Sequence, residues 1–361
     1  MSILNKEKEK ITAKVLEKKL LSDKKKGSSR DIYHIEFIMI KNDKTNIKDN
    51  NQYYYEPGDS IRIVPNNTIK EVQKILNFFN LNINQENLIN RFIKLNISHL
   101  STNFLKNYSF LIKKNFSSNK EWKLYDLLRF IPPNKDFQLE NLVKIIEPIK
   151  PRFYSISSSP KVNLLEIHIS VLLDQFRIDG KTRYGHCSNF LSNLEKGEKI
   201  TFSIHRNQSF KLPKNDENMI LICSGTGIAP FRSFLYEREK VISKGKSWLF
   251  FGLQKRFFDF LLYQMEIKNW KKKGILSRVD FAFSRDQKNK IYVQDKIWEN
   301  RIDFFLWIKS GAHIYICGKK KPMSLDVENT IFRIIKEVGF CNPEYFIRNM
   351  KKKKKYLKDV Y

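Results

Sequence analysis

From Met219 onward, four apolar runs (Met219–Cys223, Trp248–Gly252, Arg278–Phe283 and His313–Cys317) alternate with four segments of helical spacing: Phe231–Ser243, Phe258–Lys272, Val293–Lys309 and Met323–Gly339. Strands separated by a helix cannot close as tight hairpins, so they are joined by crossovers and run parallel. This third of the chain is therefore expected to form a doubly wound parallel sheet, an architecture that receives ligands at the carboxyl ends of its strands.

The earlier part follows other periods. Ile11–Leu21, His34–Ile40 and Tyr53–Val64 are β-tolerant, the last carrying a Pro57-Gly58-Asp59 turn. From Thr68, residues Ile69, Val72, Ile75, Leu76 and Phe79 fall at helical spacing, and Leu88–Leu95, Phe104–Ile112, Trp122–Phe130 and Leu139–Ile146 continue a helical or mixed pattern. Pro151 restarts strands at Phe153–Ser157, Leu165–Leu173 and Lys199–Ile204, with a short helix over Ser188–Leu194 and closure near Arg206–Leu212. The expected fold joins an α+β and an α/β domain. Residues 1–214 would form an antiparallel β-barrel with a helical insertion at about 68–148, and residues 215–361 the parallel sheet.

The formal net charge of +29 raises the question of nucleic acid. The lysines are spread over the whole chain among abundant Asn, Ile and Phe, and no binding module accompanies them, so no nucleic-acid partner is expected. Lys351–Lys355 reads as a solvated face of the last helix or loop, which also suits an acidic partner. No apolar run reaches about 18 residues, and Met1–Lys10 lacks a signal-peptide apolar segment, which points to a cytoplasmic protein without a membrane span. Cys187, Cys223, Cys317 and Cys341 are far apart with no Cys-x-x-Cys spacing, so neither a metal site nor a disulfide is expected.

Two strings carry chemistry. Arg152-Phe153-Tyr154-Ser155 offers a guanidinium fork, an aromatic ring and a hydroxyl, and Gly185-His186-Cys187-Ser188 opens a helix whose free amides suit a pyrophosphate. Gly225-Thr226-Gly227-Ile228-Ala229-Pro230 follows a strand and opens a helix, where a glycine turn lets backbone approach phosphate. Alone, the first string also fits an ordinary barrel strand, and the second an ordinary turn. In that order they suit a flavin followed by a nicotinamide nucleotide. No acidic ribose ligand stands about 20 residues after the turn; Ser284, Arg285, Lys290 and Tyr292 instead offer cations and hydroxyls to a 2′-phosphate, which favours NADPH over NADH. Cys317 ends the last apolar run, where it serves equally as a packed strand-end thiol or as a small contact for nicotinamide. Tyr361 reads as a frayed end or as a ring that stacks on a flavin.

With Trp248-Leu249-Phe250-Phe251-Gly252, Ser284-Arg285-Asp286-Gln287-Lys288, Ile291–Lys296, Gly311–Gly318 and the ending Asp359-Val360-Tyr361, these strings resemble the diflavin reductases, and among them the flavoprotein (alpha) components of NADPH-dependent sulfite reductases. The resemblance implies a ferredoxin-reductase-type barrel that holds FAD through Arg152, Phe153, Tyr154, Ser155, Ser170, Val171, Leu172, Gly185, His186, Cys187, Ser188 and Tyr361. It implies NADP contacts at Ser284, Arg285, Lys290, Ile291, Tyr292, Val293, Gln294 and Asp326, with Ser155, Cys317 and Asp359 around the hydride-transfer site, while Gly225, Thr226 and Gly227 are cofactor candidates from the turn itself. Asn96 stands where the family commonly has an FAD-contacting Thr, Leu172 replaces a Gly, Phe176 a Tyr, and Lys319-Lys320 an acidic-small pair. The missing Phe176 hydroxyl forgoes roughly 0.5–1.5 kcal/mol, so FAD binding is expected to be weakened or retuned.

The family also carries an FMN-binding flavodoxin-like domain, which no segment of this sequence matches, so FMN is expected from a separate flavodoxin-like chain or not at all. The implied function is passage of electrons from NADPH through FAD toward a sulfite-reducing haemoprotein (beta) subunit in a hetero-oligomer. The alternatives are a stand-alone NADPH–ferredoxin or flavodoxin reductase, for which the helical insertion is an unneeded extra, and a non-catalytic docking subunit.

Overall fold

A computed structural model describes residues 10–23, 27–40, 54–81, 86–116, 121–135, 137–178 and 180–361. The expected strand residue Tyr53 and most of the N-terminal segment Met1–Lys10 lie outside them. In chain order come β1 (Lys10–Leu20), β2 (Ile32–Met39) and β3 (Ser60–Ile63), then helices α1 (Ile69–Phe78), α2 (Glu86–Phe92), α3 (Thr102–Ile112), α4 (Leu124–Phe130) and α5 (Leu139–Ile145). Next are β4 (Arg152–Ser155), β5 (Glu166–Leu172), β6 (Gln175–Ile178), β7 (Lys181–Tyr184), α6 (His186–Asn193) and β8 (Lys199–His205). The last part runs β9 (Met219–Ser224), α7 (Ala229–Val241), β10 (Ser247–Leu253), α8 (Leu261–Lys272), β11 (Arg278–Phe283), α9 (Val293–Glu299), α10 (Arg301–Lys309), β12 (His313–Gly318), α11 (Leu325–Glu337), α12 (Pro343–Lys352) and β13 (Tyr356–Val360).

The chain divides into two compact units. One takes Met1–Arg62, Phe153–Leu173 and Leu194–Tyr361, and the other Ile63–Arg152 and Asp174–Asn193. The first unit carries both large sheets. Its antiparallel sheet has the order β4-β3-β8-β1-β2-β5. Ile156, just past β4, bridges Ile169 on β5, and the Ser157 amide donates to the His168 carbonyl over 2.8 Å, so the two edge strands meet and the sheet closes as a barrel. Closure satisfies edge groups that would otherwise stay unpaired.

The second sheet has the order β11-β10-β9-β12-β13 with every pairing parallel. Alternation along its strands supplies two cores. Ile220, Ile222, Trp248, Phe250, Ile314 and Ile316 pack with residues of α9, α10, α11 and α12, while Leu221, Cys223, Leu249, Phe251, Tyr315 and Cys317 pack with α7, α8 and the barrel residues Leu21 and Ile32. Strand order reverses between β9 and β12, and such a switch point opens a crevice at the carboxyl ends of the strands.

The helical unit has its own core of Val72, Ile75, Leu76, Phe92, Phe104, Tyr108, Leu127, Leu128 and Leu142. Thr68 caps α1 in a reciprocal arrangement with Glu71, and Ser101 caps α3. This unit also takes the β6/β7 hairpin and α6, to which the helical periodicity near residues 68–148 gives no clue.

Two expected elements differ. Arg206–Leu212 forms no strand; β8 ends at His205, and the Asn207 amide, the Arg206 guanidinium and the Lys211 ammonium instead converge on buried Asp59 at 3.0, 3.0 and 2.6 Å. The expected helix Val293–Lys309 is two helices broken at Asn300, whose backbone leaves the helical region and whose amide donates to the Lys296 carbonyl.

Candidate functional site

The crevice between β9 and β12 is lined by the residues that follow each strand. After β9, Gly225 adopts φ +56 and the chain makes one turn of 3₁₀ helix over Gly225–Ile228 before α7 starts with Pro230 in its first turn. A Cβ on Gly227 would run into the Cys317 carbonyl, so only glycine lets the turn pack against β12. A Cβ on Gly225 would meet nothing within 4 Å, which leaves open space over the turn. Backbone amides that face open space at a helix start suit a pyrophosphate.

Beside the turn, the parallel register sets Cys317 against Cys223 on one side and Asp359 on the other. Cys317 is only 1% exposed, and burial, then the Asp359 carboxylate, push its thiol well up, so it stays neutral. The Ser155 hydroxyl donates to Asp359 Oδ2 over 3.3 Å, which brings the strand with Tyr154 and Ser155 to the same edge. Burial raises the Asp359 carboxyl, and the Ser155 hydrogen bond partly offsets that rise. Tyr361 is held at both backbone ends, its amide donating to Gly318 and its carbonyl accepting from Lys320, and its phenol meets the Thr226 hydroxyl at 2.9 Å. The residue as a whole is 64% exposed, while burial is the first cause that pushes its phenol up to about 12, so the ring is tied down and not a frayed end.

A second cluster lies past β10 and β11. Ser284 donates its amide and its hydroxyl to the Leu253 carbonyl, and Arg285 Nη1 donates to Ser29 Oγ over 3.2 Å. Arg30 stands next to it. Burial, then the neighbouring Arg285 guanidinium, push Arg30 down from its usual range. The Gln254 amide, oriented to satisfy both its ends, accepts from Arg30 Nε and Nη2 at 2.9 and 2.7 Å and donates to Ser29 Oγ. Two guanidiniums and hydroxyls gathered against their mutual repulsion are a donor set for a dianion. Ser29 and Arg30 belong to the barrel half of the sequence, carry no motif, and were not legible in advance.

The remaining candidates are scattered by environment. Lys290 and Tyr292 are exposed, Ile291 is half-buried, and Gln294 comes within 3.5 Å of Asp326. Val293 is core and faces Gly252, while Val171 is core of the barrel; only their backbones are available to a ligand. The Ser170 hydroxyl is tied to the Tyr263 phenol at 2.7 Å, and Leu172 packs at the edge of the α7–α8 core. Phe153 is half exposed beside the His205 ring, and Tyr154 is partly buried.

In the helical unit, the Gly185 amide donates to the Asp174 carbonyl, and Ser188 Oγ accepts from the Asp174 amide while donating to the Gly185 carbonyl. A Cβ on Gly185 would crowd Asp174 and Ser188 at 3.0 Å. His186 Nε2 lies 3.3 Å from the Asn66 carbonyl, and Cys187 is buried. Asn96 closes its own turn, donating to the His99 carbonyl and accepting from the His99 amide, and Phe176 meets the His99 ring. Arg152 is exposed at the start of β4.

Among the described residues no helix is long and apolar enough to cross a membrane. A family model for the FAD binding domain matches residues 102–190, and one for the oxidoreductase NAD-binding domain matches residues 221–329. Among curated proteins the chain is similar to the sulfite reductase (NADPH) flavoprotein alpha-component of Serratia proteamaculans, 33% identical over 372 residues that take in 97% of this chain and 61% of the relative. It is similar to the protein of the same name from Bacillus subtilis, 33% identical over 379 residues (97% of this chain, 60% of the relative), and from Salmonella typhimurium, 34% identical over 358 residues (93% and 58%). The chain spans about three fifths of the length of these curated relatives.

Proposed function

We propose that this chain, which belongs to the family of FAD- and NAD-binding reductases that includes the sulfite reductase (NADPH) flavoprotein alpha-components, oxidises NADPH at a bound FAD and passes the electrons toward a sulfite-reducing haemoprotein. The observation that supports this reading most is the meeting of Ser155 with Asp359 beside Cys317 and the Gly225–Ile228 turn, because it unites the barrel string and the nucleotide turn at one sheet edge.

FAD, when bound, accepts two electrons from a reduced nicotinamide and releases them to a further acceptor. Tyr154, Ser155 and Tyr361 would hold its ring, Ser155 as a hydrogen-bond partner through its hydroxyl. Ser170, Val171 and Leu172 are proposed as its further contacts. The turn Gly225–Ile228 would take the NADPH pyrophosphate on its amides. Arg285 and Arg30 would take the 2′-phosphate, with Ser284, Lys290, Tyr292, Gln294 and Asp326 around the nucleotide. Asp359, raised by burial, would orient the Ser155 hydroxyl and, when ionised, would favour the positive charge that the nicotinamide ring takes on as it gives up its hydride. The domain boundary near residue 214, the cytoplasmic location, the haemoprotein partner and a separate FMN protein are parts of the same proposal.

The absorption spectrum and turnover of the purified protein test it. The expected result is bound FAD without FMN, brisk ferricyanide reduction by NADPH and poor reduction of cytochrome c. A colourless protein that cannot be reconstituted with FAD overturns it.

A further inference from the structure

Beyond the residues that meet a ligand, three consecutive serines past β4 are each bonded to α7. The Ser157 carbonyl accepts from Arg232 Nη1 over 3.0 Å, the Ser158 carbonyl from the Ser233 hydroxyl over 2.5 Å, and the Ser159 hydroxyl donates to Glu237 Oε2 over 2.5 Å. All three serines are buried, as are Arg232, Ser233 and Glu237. Arg232 is 5% exposed, and its guanidinium is fully engaged: Nε and Nη2 form a two-pronged pair with Glu266 on α8 at 2.7 Å each, Nη1 also lies 3.4 Å from His168 Nδ1, and the fork stacks near the Tyr236 and Tyr263 rings. The Arg232 pKa rises through the Glu266 hydrogen bonds despite burial.

The ladder joins two segments that matter to the crevice. Ser157 stands two residues after Ser155, and α7 begins directly after the Gly225–Ile228 turn. A planar fork fixed by two acceptors has little rotational freedom, and buried side-chain bonds in a dry interior hold position more stiffly than exposed ones.

We infer that Arg232, with Ser233 and Glu237, is a positioning device that sets the distance of the Tyr154–Ser155 strand from the nucleotide turn, and so the alignment of flavin and nicotinamide. The inference rests on the proposed FAD and NADPH chemistry. It predicts a loss in the rate of FAD reduction and not in NADPH binding, since a misplacement of about 1 Å costs on the order of a hundredfold in rate.

The test pairs Arg232→Met/Glu266→Met, which removes both buried charges together, with the milder Ser159→Ala/Ser233→Ala, and reads each in two ways. In the FAD-free protein, amide hydrogen exchange across residues 153–161 is expected to speed up several-fold while exchange in β9 and β10 stays unchanged. In the FAD-loaded protein, the rate of flavin reduction at saturating NADPH is expected to fall about tenfold or more for the charge pair and a few-fold for the serine pair, with KM for NADPH within about threefold. If the charge-pair variant does not fold, the serine pair decides alone. Unchanged exchange in residues 153–161, or an unchanged reduction rate, or a loss confined to KM, overturns the inference. A wild-type protein that takes up FAD but is not reduced by NADPH overturns the proposed function, and the positioning role with it, a result distinct from a functional wild type with silent variants.

Discussion

The same unit holds two polar clusters of opposite character. Beneath the barrel, His34 Nδ1 meets the Tyr263 phenol at 2.8 Å and its Nε2 donates to Glu36 at 3.1 Å, His168 Nε2 donates to Glu166 at 2.9 Å, and Arg232 spans Glu266, Ser157 and His168. His34, Glu36 and His168 are close enough together to hold a metal ion, yet their polar atoms already have partners in Tyr263, Glu166, Arg232 and each other, and two cations, Arg232 and Lys19, stand beside them. At the carboxyl edge, by contrast, Ser155 and Asp359 touch at 3.3 Å, Tyr361 is exposed over much of its surface, and two guanidiniums gather closely enough for Arg285 to push Arg30 down. A cluster that satisfies itself stabilises the fold; one whose donors face outward waits for a ligand.

The sharpest way to break this comparison is Ser155→Ala. With FAD still bound, stopped-flow reduction by NADPH is expected to slow on the order of a hundredfold, the loss typical of one oriented donor at a reacting centre. A rate equal to wild type would mean that the carboxyl edge is not where the nucleotide reacts.

A smaller effect is expected at the second outward-facing cluster. Arg285→Ala and Arg30→Ala should each weaken NADPH by about 1.5–3 kcal/mol, the range for a charged hydrogen bond, and leave NADH unaffected. Titration with both nucleotides measures the difference, and equal losses would reassign the pair to structure.

The self-satisfied cluster should answer to pH instead. Burial, then the neighbouring His34 and Arg232, hold His168 down at about 3, and burial lowers His34 as well. An unfolded histidine titrates near 6.5, so below that pH the unfolded chain takes up protons that the folded one refuses. Stability is thus complete above about 6.5 and drains away as pH falls toward 3, by at most about 1.4 kcal/mol per pH unit for each histidine. His168→Gln should flatten the slope of thermal stability between pH 7 and 5. A slope that persists would place the titrating group elsewhere.

How much of this was readable in advance varies with the kind of signal. The parallel sheet announced itself because β9, β10 and β12 are buried on both faces and read as unbroken apolar runs. The turn after β9 was legible because only glycine tolerates its conformation and its approach to β12. The β6/β7 hairpin was not, since each strand is only four residues long and the alternation of Gln175-Phe176-Arg177-Ile178 is too short to stand out. β13 hid behind the lysine run: Lys351 and Lys352 end α12, Lys355 reaches the Gly311 carbonyl, and the strand that carries Asp359 starts one residue later. Arg30 and Ser29 owe their place beside Arg285 to the tertiary fold alone, which a linear pattern does not encode.

The order of strands in the barrel also bears on how the chain is made. β1 lies between β2, its immediate successor, and β8, which emerges from the ribosome only after the whole helical stretch has been synthesised. Until then one flank of the β1–β2 hairpin is an open template for the wrong neighbour, in a crowded cell and at translation speed. Lys10, Lys14, Lys18 and Lys19 punctuate that strand, the kind of charge that disfavours pairing of an open edge with another copy.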